Sequence, residues 1–213
     1  MRKAIVATLF SSVLLLSACS GSTPEEQLDN VLNDTFEAEG EYRDAQVEME
    51  QLESNEQQIF ESIMALTQDE QEQVNDLAQQ AIDSVEERMA LLETERDSME
   101  EAKTNFSEID AVIEDTDDPE ISADLNALKE KMQERFDAHA NFATEYEEMS
   151  ARQRELYELL QNEETELQTL QAKTVEVNEQ NTAVQEAVTA FNEQTEQFNE
   201  MRTQLIEKLQ ENE

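Results

Sequence analysis

Turn-forming and cross-linking residues are almost absent from this chain: its 213 residues include 2 glycines, 2 prolines, 1 cysteine and no tryptophan. Proteins built from β-sheets join many short strands through turns rich in Gly and Pro, so this composition argues against a β architecture. A single cysteine has no partner for an intramolecular disulfide. The composition therefore predicts an all-α protein whose fold does not depend on disulfide bonds.

Positive charge is also scarce. The chain has 14 Lys and Arg against 53 Asp and Glu, a formal net charge of −39. Such a surface repels nucleic acids and anionic lipid headgroups, so we expect no nucleic-acid partner. Hydrophobic residues make up 38% of the chain, and low hydrophobicity with high net charge is also typical of disordered proteins. The regular spacing of the apolar residues favours an ordered helical protein instead.

Long hydrophobic runs are lacking except near the N-terminus, where a basic start at residues 1–3 precedes an apolar segment, residues 4–16. This arrangement is typical of a secretory signal, and the segment is too short to span a bilayer. It ends in Leu16-Ser17-Ala18-Cys19, which matches the lipobox of bacterial lipoproteins, in which the cysteine is alkylated with a diacylglycerol and the peptide is cleaved before it. The alternative is an ordinary signal peptide with a chance cysteine.

We therefore expect a lipoprotein signal peptide at residues 1–18, a lipidated Cys19 with a short tether at residues 19–23, and a helical coiled-coil body at residues 24–213. Removing the signal peptide leaves 12 of the 14 basic residues against 53 acidic ones, a net charge of −41. Acyl chains contribute about 0.8 kcal/mol per buried CH₂. The anchor would thus hold the body on the extracytoplasmic face of the cell membrane.

Apolar residues recur at helical three-four spacing along the body. The first stripe covers residues 28–66 and includes two polar positions, Thr35 and Glu56. Pro24 suits the first turn of this helix because that position needs no backbone donor. Gly40 is less favourable in a helix interior than alanine by about 1 kcal/mol, so we expect a local bend there.

A second helix is predicted after Thr67, which has the T-x-x-E spacing of a capping box with Glu70. Its stripe covers residues 74–113 and includes two charged positions, Arg88 and Glu95. One step of this stripe is longer than three or four residues, which shifts the seam locally. The first two helices are therefore similar in length.

Residues 114–118 are rich in acidic side chains and precede Pro119, which is typical of a helix N-terminus. From residue 125 to residue 209 the apolar spacing then keeps one phase, so a single long helix fits. A split near Asn162, taken as an N-cap, gives two helices that match the first two in length. We therefore expect an elongated, antiparallel bundle of about four long helices, with three helices and a long overhang as the alternative.

Residues that could carry chemistry are few. His139 lies on the predicted apolar seam of the third helix, and one histidine without a partner histidine or cysteine cannot build the usual zinc sites. No G-x-S-x-G motif or D-x-D-x-D-G calcium loop is present. Paired glutamates fit solvated helix faces better than the opposed carboxylates of a glycosidase. We expect no catalytic residue, no metal site, no cofactor and no enzyme activity.

Six aromatic residues of the C-terminal half lie at helical spacing, where two interpretations compete. These residues are Phe136, Phe142, Tyr146, Tyr157, Phe191 and Phe198. A sugar-stacking surface would use exposed aromatic rings, whereas a helical core uses buried ones. Their spacing favours the core, because it coincides with the apolar stripes.

Four segments carry a family resemblance. They are the lipobox followed by Thr23-Pro24-Glu25-Glu26, the stretch from Val85-Glu86-Glu87-Arg88 to Leu91-Leu92-Glu93, the segment Glu155-Leu156-Tyr157-Glu158-Leu159, and Phe191-Asn192-Glu193-Gln194-Thr195 with Phe198-Asn199. Together they resemble the YkyA-type cell-wall binding lipoproteins of Gram-positive bacteria over nearly all of the body. The resemblance implies a membrane-anchored, all-helical, non-enzymatic protein at the cell wall, and it carries over Cys19 as the only functional residue.

Two functions fit these observations. The first is a structural rod that binds peptidoglycan or another wall polymer, and the second is an adaptor or sensor that docks a membrane or envelope protein. A wall hydrolase has no supporting motif. The charge of −41 would repel teichoic acids, which are polyanions themselves, unless high salt or divalent cations screen it.

Overall fold

The computed structural model describes residues 23–211, which form four long helical arms. The helices are α1 (Pro24–Ala38), α2 (Gly40–Met64), α3 (Gln71–Phe106), α4 (Ile109–Glu114), α5 (Pro119–Gln161) and α6 (Leu167–Glu211). The first arm consists of α1 and α2, and the second of α3 and α4. No strand occurs among residues 23–211. The predicted all-α architecture of four antiparallel helices is confirmed.

Each arm is a rod about 60 Å long, at 1.5 Å per helical residue. Consecutive arms reverse direction, so the turns collect at two ends. The N-terminal end holds Thr23, the turn at residues 115–118 and Glu211, whereas the far end holds the connections at residues 65–70 and 162–166. The first arm packs on the second, the second on α5, and α5 on α6.

Capping boxes start two of the arms. The Glu26 N–H donates to Thr23 Oγ1 at 3.2 Å, and the Thr23 N–H donates to the Glu26 carboxylate at 3.2 Å, with Pro24 at the first helical position. At the start of the second arm, the Glu70 carboxylate accepts from the Thr67 N–H at 2.9 Å. The predicted capping box at Thr67 is thus confirmed, although a short 3₁₀ turn comes between it and α3.

The third arm begins at Pro119, as predicted. Asp118 Oδ1 accepts hydrogen bonds from the backbone N–H groups of Glu120, at 2.8 Å, and Ile121, at 3.2 Å. A carboxylate at this position satisfies donors that the first turn of a helix leaves free, and it interacts favourably with the helix dipole.

The predicted break near Asn162 is confirmed, but the predicted role of Asn162 as an N-cap is wrong. Helix α5 ends at Gln161 and α6 begins only at Leu167. An N-cap residue directly precedes its helix, whereas Asn162 lies at the start of the connection. Asn162 Oδ1 accepts from the Glu164 N–H at 3.0 Å and so closes a turn.

The first arm is interrupted at Glu39, next to Gly40, where we expected a bend. Ser98 of the second arm compensates for the interruption. Its Oγ donates to the Ala38 carbonyl at 2.6 Å and accepts from the Tyr42 N–H at 3.0 Å. One buried hydroxyl therefore pairs with two backbone groups on the two sides of the break.

We expect Ser98→Ala to lower the free energy of unfolding by about 1–3 kcal/mol, because it leaves a buried donor and a buried acceptor unpaired. Urea unfolding followed by circular dichroism measures the change. Ser54→Ala is the matched control, since Ser54 is exposed on α2, and we expect it to change stability by less than about 0.5 kcal/mol. Equal effects of the two substitutions would contradict this role of Ser98.

The core consists of three clusters stacked along the rod. The cluster at the N-terminal end contains Phe106 and Phe198, the middle one contains Phe142, and the one at the far end contains Ile63 and Tyr157. Helix α6 contributes to the first two clusters but not to the third, which is built from α2, α3 and α5. All four arms therefore contribute side chains to the core at the N-terminal end, whereas only the first three arms contribute to the core cluster at the far end.

Two apolar positions of the stripe at residues 125–209 nevertheless lie outside the core. Leu167 is 70% exposed and Val188 is 37% exposed. Both residues keep the predicted helical phase, but the first arm does not pack closely enough on this part of α6 to cover them.

Candidate functional site

A cleft of about 1110 Å³ separates α2 from α6 in the half of the rod nearer the far end. Its two walls run from Gln46 to Phe60 on α2 and from Thr174 to Thr189 on α6. The floor is formed by side chains of α5 and by Arg88 of α3. Along α2 the cleft is about 21 Å long, at 1.5 Å per residue.

Helix α6 packs along α5, but it contacts the first arm only toward the N-terminal end of the rod. This difference leaves the cleft open. There, Gln210 Nε2 donates to the Glu25 carboxylate at 2.9 Å, and the rings of Tyr42 and Phe191 meet edge to face with centroids 6.1 Å apart. Beyond this ring contact the two helices are separate. Val47 of α2, for example, is 59% exposed at the edge of the cleft.

A network of charged and hydroxyl groups, here called the Arg88 network, lies at the floor. Its members are Arg88, Glu53, Glu56, Tyr146, Gln153 and Tyr157. The Arg88 side chain is 1% exposed. Its Nη1 donates to the Tyr146 hydroxyl at 2.8 Å, and its Nη2 donates to the Glu56 carboxylate and, at 2.9 Å, to Gln153 Oε1.

The two tyrosines extend this network to the carboxylates of α2. The Tyr146 hydroxyl donates to Glu53 Oε1 at 2.6 Å, and the Tyr157 hydroxyl donates to Glu56 Oε1 at 2.8 Å. Burial raises the pKa of both phenols far above the usual value near 10. Burial also raises the pKa of the Glu56 carboxyl, while Arg88 and the Tyr157 hydroxyl, which donate to it, act in the opposite direction.

One donor at the floor has no partner. The Nε–H of Arg88 makes no hydrogen bond to any of the residues that the structure describes, although the other guanidinium nitrogens are well paired. A buried donor without a partner costs about 1–3 kcal/mol. This unpaired Nε–H is itself buried, so it lies beneath the surface of the floor, beside the ion pair.

The α6 wall is polar but uncharged. Its amide and hydroxyl residues are spaced three or four positions apart and alternate with valines. They are Thr174, Asn178, Asn181, Gln185 and Thr189. Among all lining residues Arg88 is the single cation, against the three carboxylates of Glu50, Glu53 and Glu56. The α6 wall of the cleft is therefore uncharged, whereas the α2 wall is acidic.

His139 lies below the cleft, in the core. It is 3% exposed, and its ring centroid lies 5.4 Å from that of Tyr42 and 5.5 Å from that of Phe191. Its Nε2 is 3.5 Å from the carboxylate of the fully buried Glu95. The prediction that His139 belongs to the seam is confirmed. Among the described residues, no three His, Cys, Asp or Glu side chains are grouped in a way that could hold a metal ion.

The six aromatic residues singled out in the sequence are all buried, at 2–7% exposure, so the prediction that they belong to the core is confirmed. Three of them, Phe142, Tyr146 and Tyr157, also line the floor of the cleft. The lipobox, including Cys19, lies outside the described residues. None of the helices of residues 23–211 has the length and hydrophobicity needed to cross a membrane.

Sequence reasoning missed the Arg88 network and the amide wall. The signal for the network was present, since Glu56 and Arg88 both occupy apolar stripe positions, and charged residues there are buried only if they are paired. The signal for the wall was the repeated three-four spacing of uncharged polar residues on α6.

The fold and the cleft define the class: this is an elongated all-helical rod with a polar groove between two of its helices. The chain belongs to the YkyA family, described as "Putative cell-wall binding lipoprotein", whose sequence model matches residues 23–208. The sequence resemblance to this family is confirmed.

Two individual proteins are similar to this chain. The uncharacterized lipoprotein YkyA of Bacillus subtilis (strain 168) is 26% identical over 173 residues, which cover 81% of this chain and 78% of that protein. A conserved protein of unknown function from Staphylococcus aureus, known from a 1.6 Å crystal structure, superposes with a TM-score of 0.75 at 12% identity, over 88% of this chain and 98% of that one. The second similarity concerns the fold alone.

Proposed function

We propose that the protein is a lipoprotein held on the outer face of the cell membrane through Cys19, and that it binds the cell wall through the cleft between α2 and α6. The observation that carries this proposal is the position of the cleft. Helix α1 begins at Pro24, five residues after Cys19. The cleft then extends from about 33 Å to about 54 Å along the first arm, at 1.5 Å per residue.

The shape of the rod supports the same orientation. Its N-terminal end, next to the proposed anchor, is closed by the contacts of α6 with the first arm. Its far half is open and holds the cleft between α2 and α6. A protein built in this way presents its binding surface away from the bilayer, where the wall lies. The family description is consistent with this function.

Sedimentation with purified cell-wall sacculi tests the proposal. We expect residues 20–213 to sediment with sacculi whether or not teichoic acid has been removed. We expect Gln185→Trp, which fills the cleft with an indole ring, to weaken binding by at least about tenfold, equivalent to about 1.4 kcal/mol. Gln168→Trp is the matched control, because Gln168 is exposed on α6 outside the cleft.

Loss of binding in the Gln185→Trp protein alone supports the cleft as the wall-binding site. Equal binding by the two variants would show that the wall is bound elsewhere on the rod. No binding by the unmodified body under any salt or magnesium concentration would contradict the proposed function itself.

An adaptor that docks an envelope protein is the second candidate. The exposed apolar side chains of Val47 and Val188, which face each other across the cleft, favour it. Crosslinking in intact cells from a photoreactive residue at position 188 would distinguish the two functions. A protein adduct is expected for the adaptor, and adducts to wall polymer are expected for the wall-binding protein.

A further inference from the structure

We propose that the cleft recognises a neutral glycan whose sugars carry acetamido groups. This inference rests on the proposed function, because it names the chemical class of ligand for the same cleft. Two observations carry it: the amide wall of α6 and the charge of the lining residues.

The amide wall matches the acetamido group. Asn178, Asn181 and Gln185 are exposed on the cleft side of α6, and each side chain has both a donor and an acceptor. An acetamido group likewise has one N–H donor and one C=O acceptor, so each amide can make a reciprocal pair with it. The hydroxyl groups of Thr174 and Thr189, at the two ends of the wall, donate to the Leu170 and Gln185 carbonyls at 2.8 Å, and their oxygens can still accept a hydrogen bond from a sugar hydroxyl.

The charges of the cleft exclude an anionic ligand. The guanidinium of Arg88 is already paired with Glu56, and Glu50 and Glu53 are not balanced by any second cation among the lining residues. An anionic polymer would therefore meet net negative charge both at the cleft and over the rest of the surface, whose formal charge is −39 for the whole chain. A neutral polymer incurs no such repulsion.

The floor provides the apolar part of the site. Phe142, Tyr146 and Met149 line the bottom of the cleft, where they are 2–6% exposed, so they give the floor an apolar surface but no exposed ring on which a sugar could stack. Pockets for small molecules range over about 300–1000 Å³, so a cleft of about 1110 Å³ suits an oligomer better than a single sugar.

A helix of another protein fits the cleft less well. Helix pairing relies on apolar side chains at three-four spacing along the seam. On the α6 wall, positions with this spacing hold Thr, Asn and Gln side chains, and the valines between them are few. Burying these amides against an apolar helix would leave them unpaired, at a cost of about 1–3 kcal/mol each.

The test uses three oligosaccharides that share one β-1,4-linked backbone and differ only at carbon 2 of each sugar. Chitopentaose carries acetamido groups, cellopentaose carries hydroxyl groups, and the fully deacetylated chitosan pentamer carries ammonium groups. Binding to the whole mature protein in a zwitterionic detergent is measured by isothermal titration calorimetry. We expect chitopentaose to bind at least about tenfold more tightly than the other two, as the loss of one or two hydrogen bonds per site implies.

A matched pair of variants locates the site. Asn181→Asp is nearly isosteric but removes the amide donor, and we expect it to weaken chitopentaose binding by about tenfold. Asn141→Asp adds the same charge at an exposed position of α5 outside the cleft, and we expect it to leave binding unchanged. Because both residues are exposed, neither substitution threatens folding, which circular dichroism verifies.

Every other outcome overturns the inference. Equal binding of chitopentaose and cellopentaose would show a sugar site that does not recognise acetamido groups. Tightest binding of the chitosan pentamer would show a site for cations, and no binding of any pentamer would exclude a neutral glycan. Sedimentation with sacculi distinguishes these failures from failure of the proposed function: if the protein still binds sacculi but no pentamer, only the ligand class is wrong.

Discussion

Replacing Arg88 with methionine is expected to lower the free energy of unfolding by about 3–5 kcal/mol, since it removes one partner of a buried ion pair and leaves the other uncompensated. The remaining partner is Glu56, which is 4% exposed and keeps only the Tyr157 hydroxyl as a donor. Tyr146 and Gln153 each lose a hydrogen bond as well. Methionine fills most of the volume of the arginine stem, so the effect measures charge and hydrogen bonding more than packing.

Thermal unfolding provides the measurement. For a chain of this size about 1 kcal/mol corresponds to about 2–4 °C, so the expected fall in Tm is about 6–20 °C. Arg154→Met is the control, because Arg154 is 51% exposed and pairs with exposed glutamates. Such pairs contribute about 0–1 kcal/mol.

Adding Glu56→Gln to Arg88→Met removes the unpaired charge and should restore part of the stability. If Arg88→Met behaved like the control, the network would not stabilise the fold.

The Arg88 network also shows what the sequence could and could not predict. The apolar spacing correctly predicts which positions face the interior of the bundle. Glu56, Arg88 and Glu95 occupy such positions, and all three are buried. The periodicity of one helix cannot predict which residue of another helix will pair with a buried charged side chain. Glu56 lies 32 positions before Arg88 and 101 positions before Tyr157, so these pairings depend on how the arms pack.

The cleft was unpredictable for the same reason. The apolar phase of residues 125–209 indicates which face of each helix is covered, but not which arm covers it. In the structure α5 supplies a neighbour for all of α6, and the first arm supplies one only toward the N-terminal end. Leu167 and Val188 keep the core phase without a core around them, and it is this mismatch that marks the open side.

Local signals, in contrast, predicted local structure well. Thr67, Asp118 and Gly40 all mark real helix boundaries, because caps and glycines act within one turn of the chain. The interruption at Ser107, between α3 and α4, was missed. It contains neither Gly nor Pro, and the Ser107 hydroxyl instead donates back to the Thr104 carbonyl at 2.6 Å.

Strongly alkaline solution is expected to unfold the protein through its buried tyrosines. Burial raises the pKa of Tyr146 and Tyr157 in the folded state above the unfolded value near 10, and it raises that of Tyr42 to about 12. Above pH 10 the unfolded chain therefore releases protons that the folded chain retains. Stability is unaffected by these groups below pH 10 and falls as the pH rises through the window between the two pKa values.

The expected slope follows from proton linkage. Each retained proton contributes about 1.4 kcal/mol per pH unit, so Tyr42, Tyr146 and Tyr157 together lower the free energy of unfolding by about 4 kcal/mol per unit between pH 10 and about pH 12. Urea unfolding at increasing pH measures this slope. Tyr157→Phe lacks one of the three phenols and should reduce the slope by about 1.4 kcal/mol per pH unit, or about one third, whatever its stability at neutral pH. Since surface lysines also lose their charge in this range, the difference between the two proteins, and not the slope of either alone, isolates the tyrosine. Parallel pH profiles would mean that Tyr157 ionises as readily in the folded protein as in the unfolded chain, and hence that the floor of the cleft is open to water.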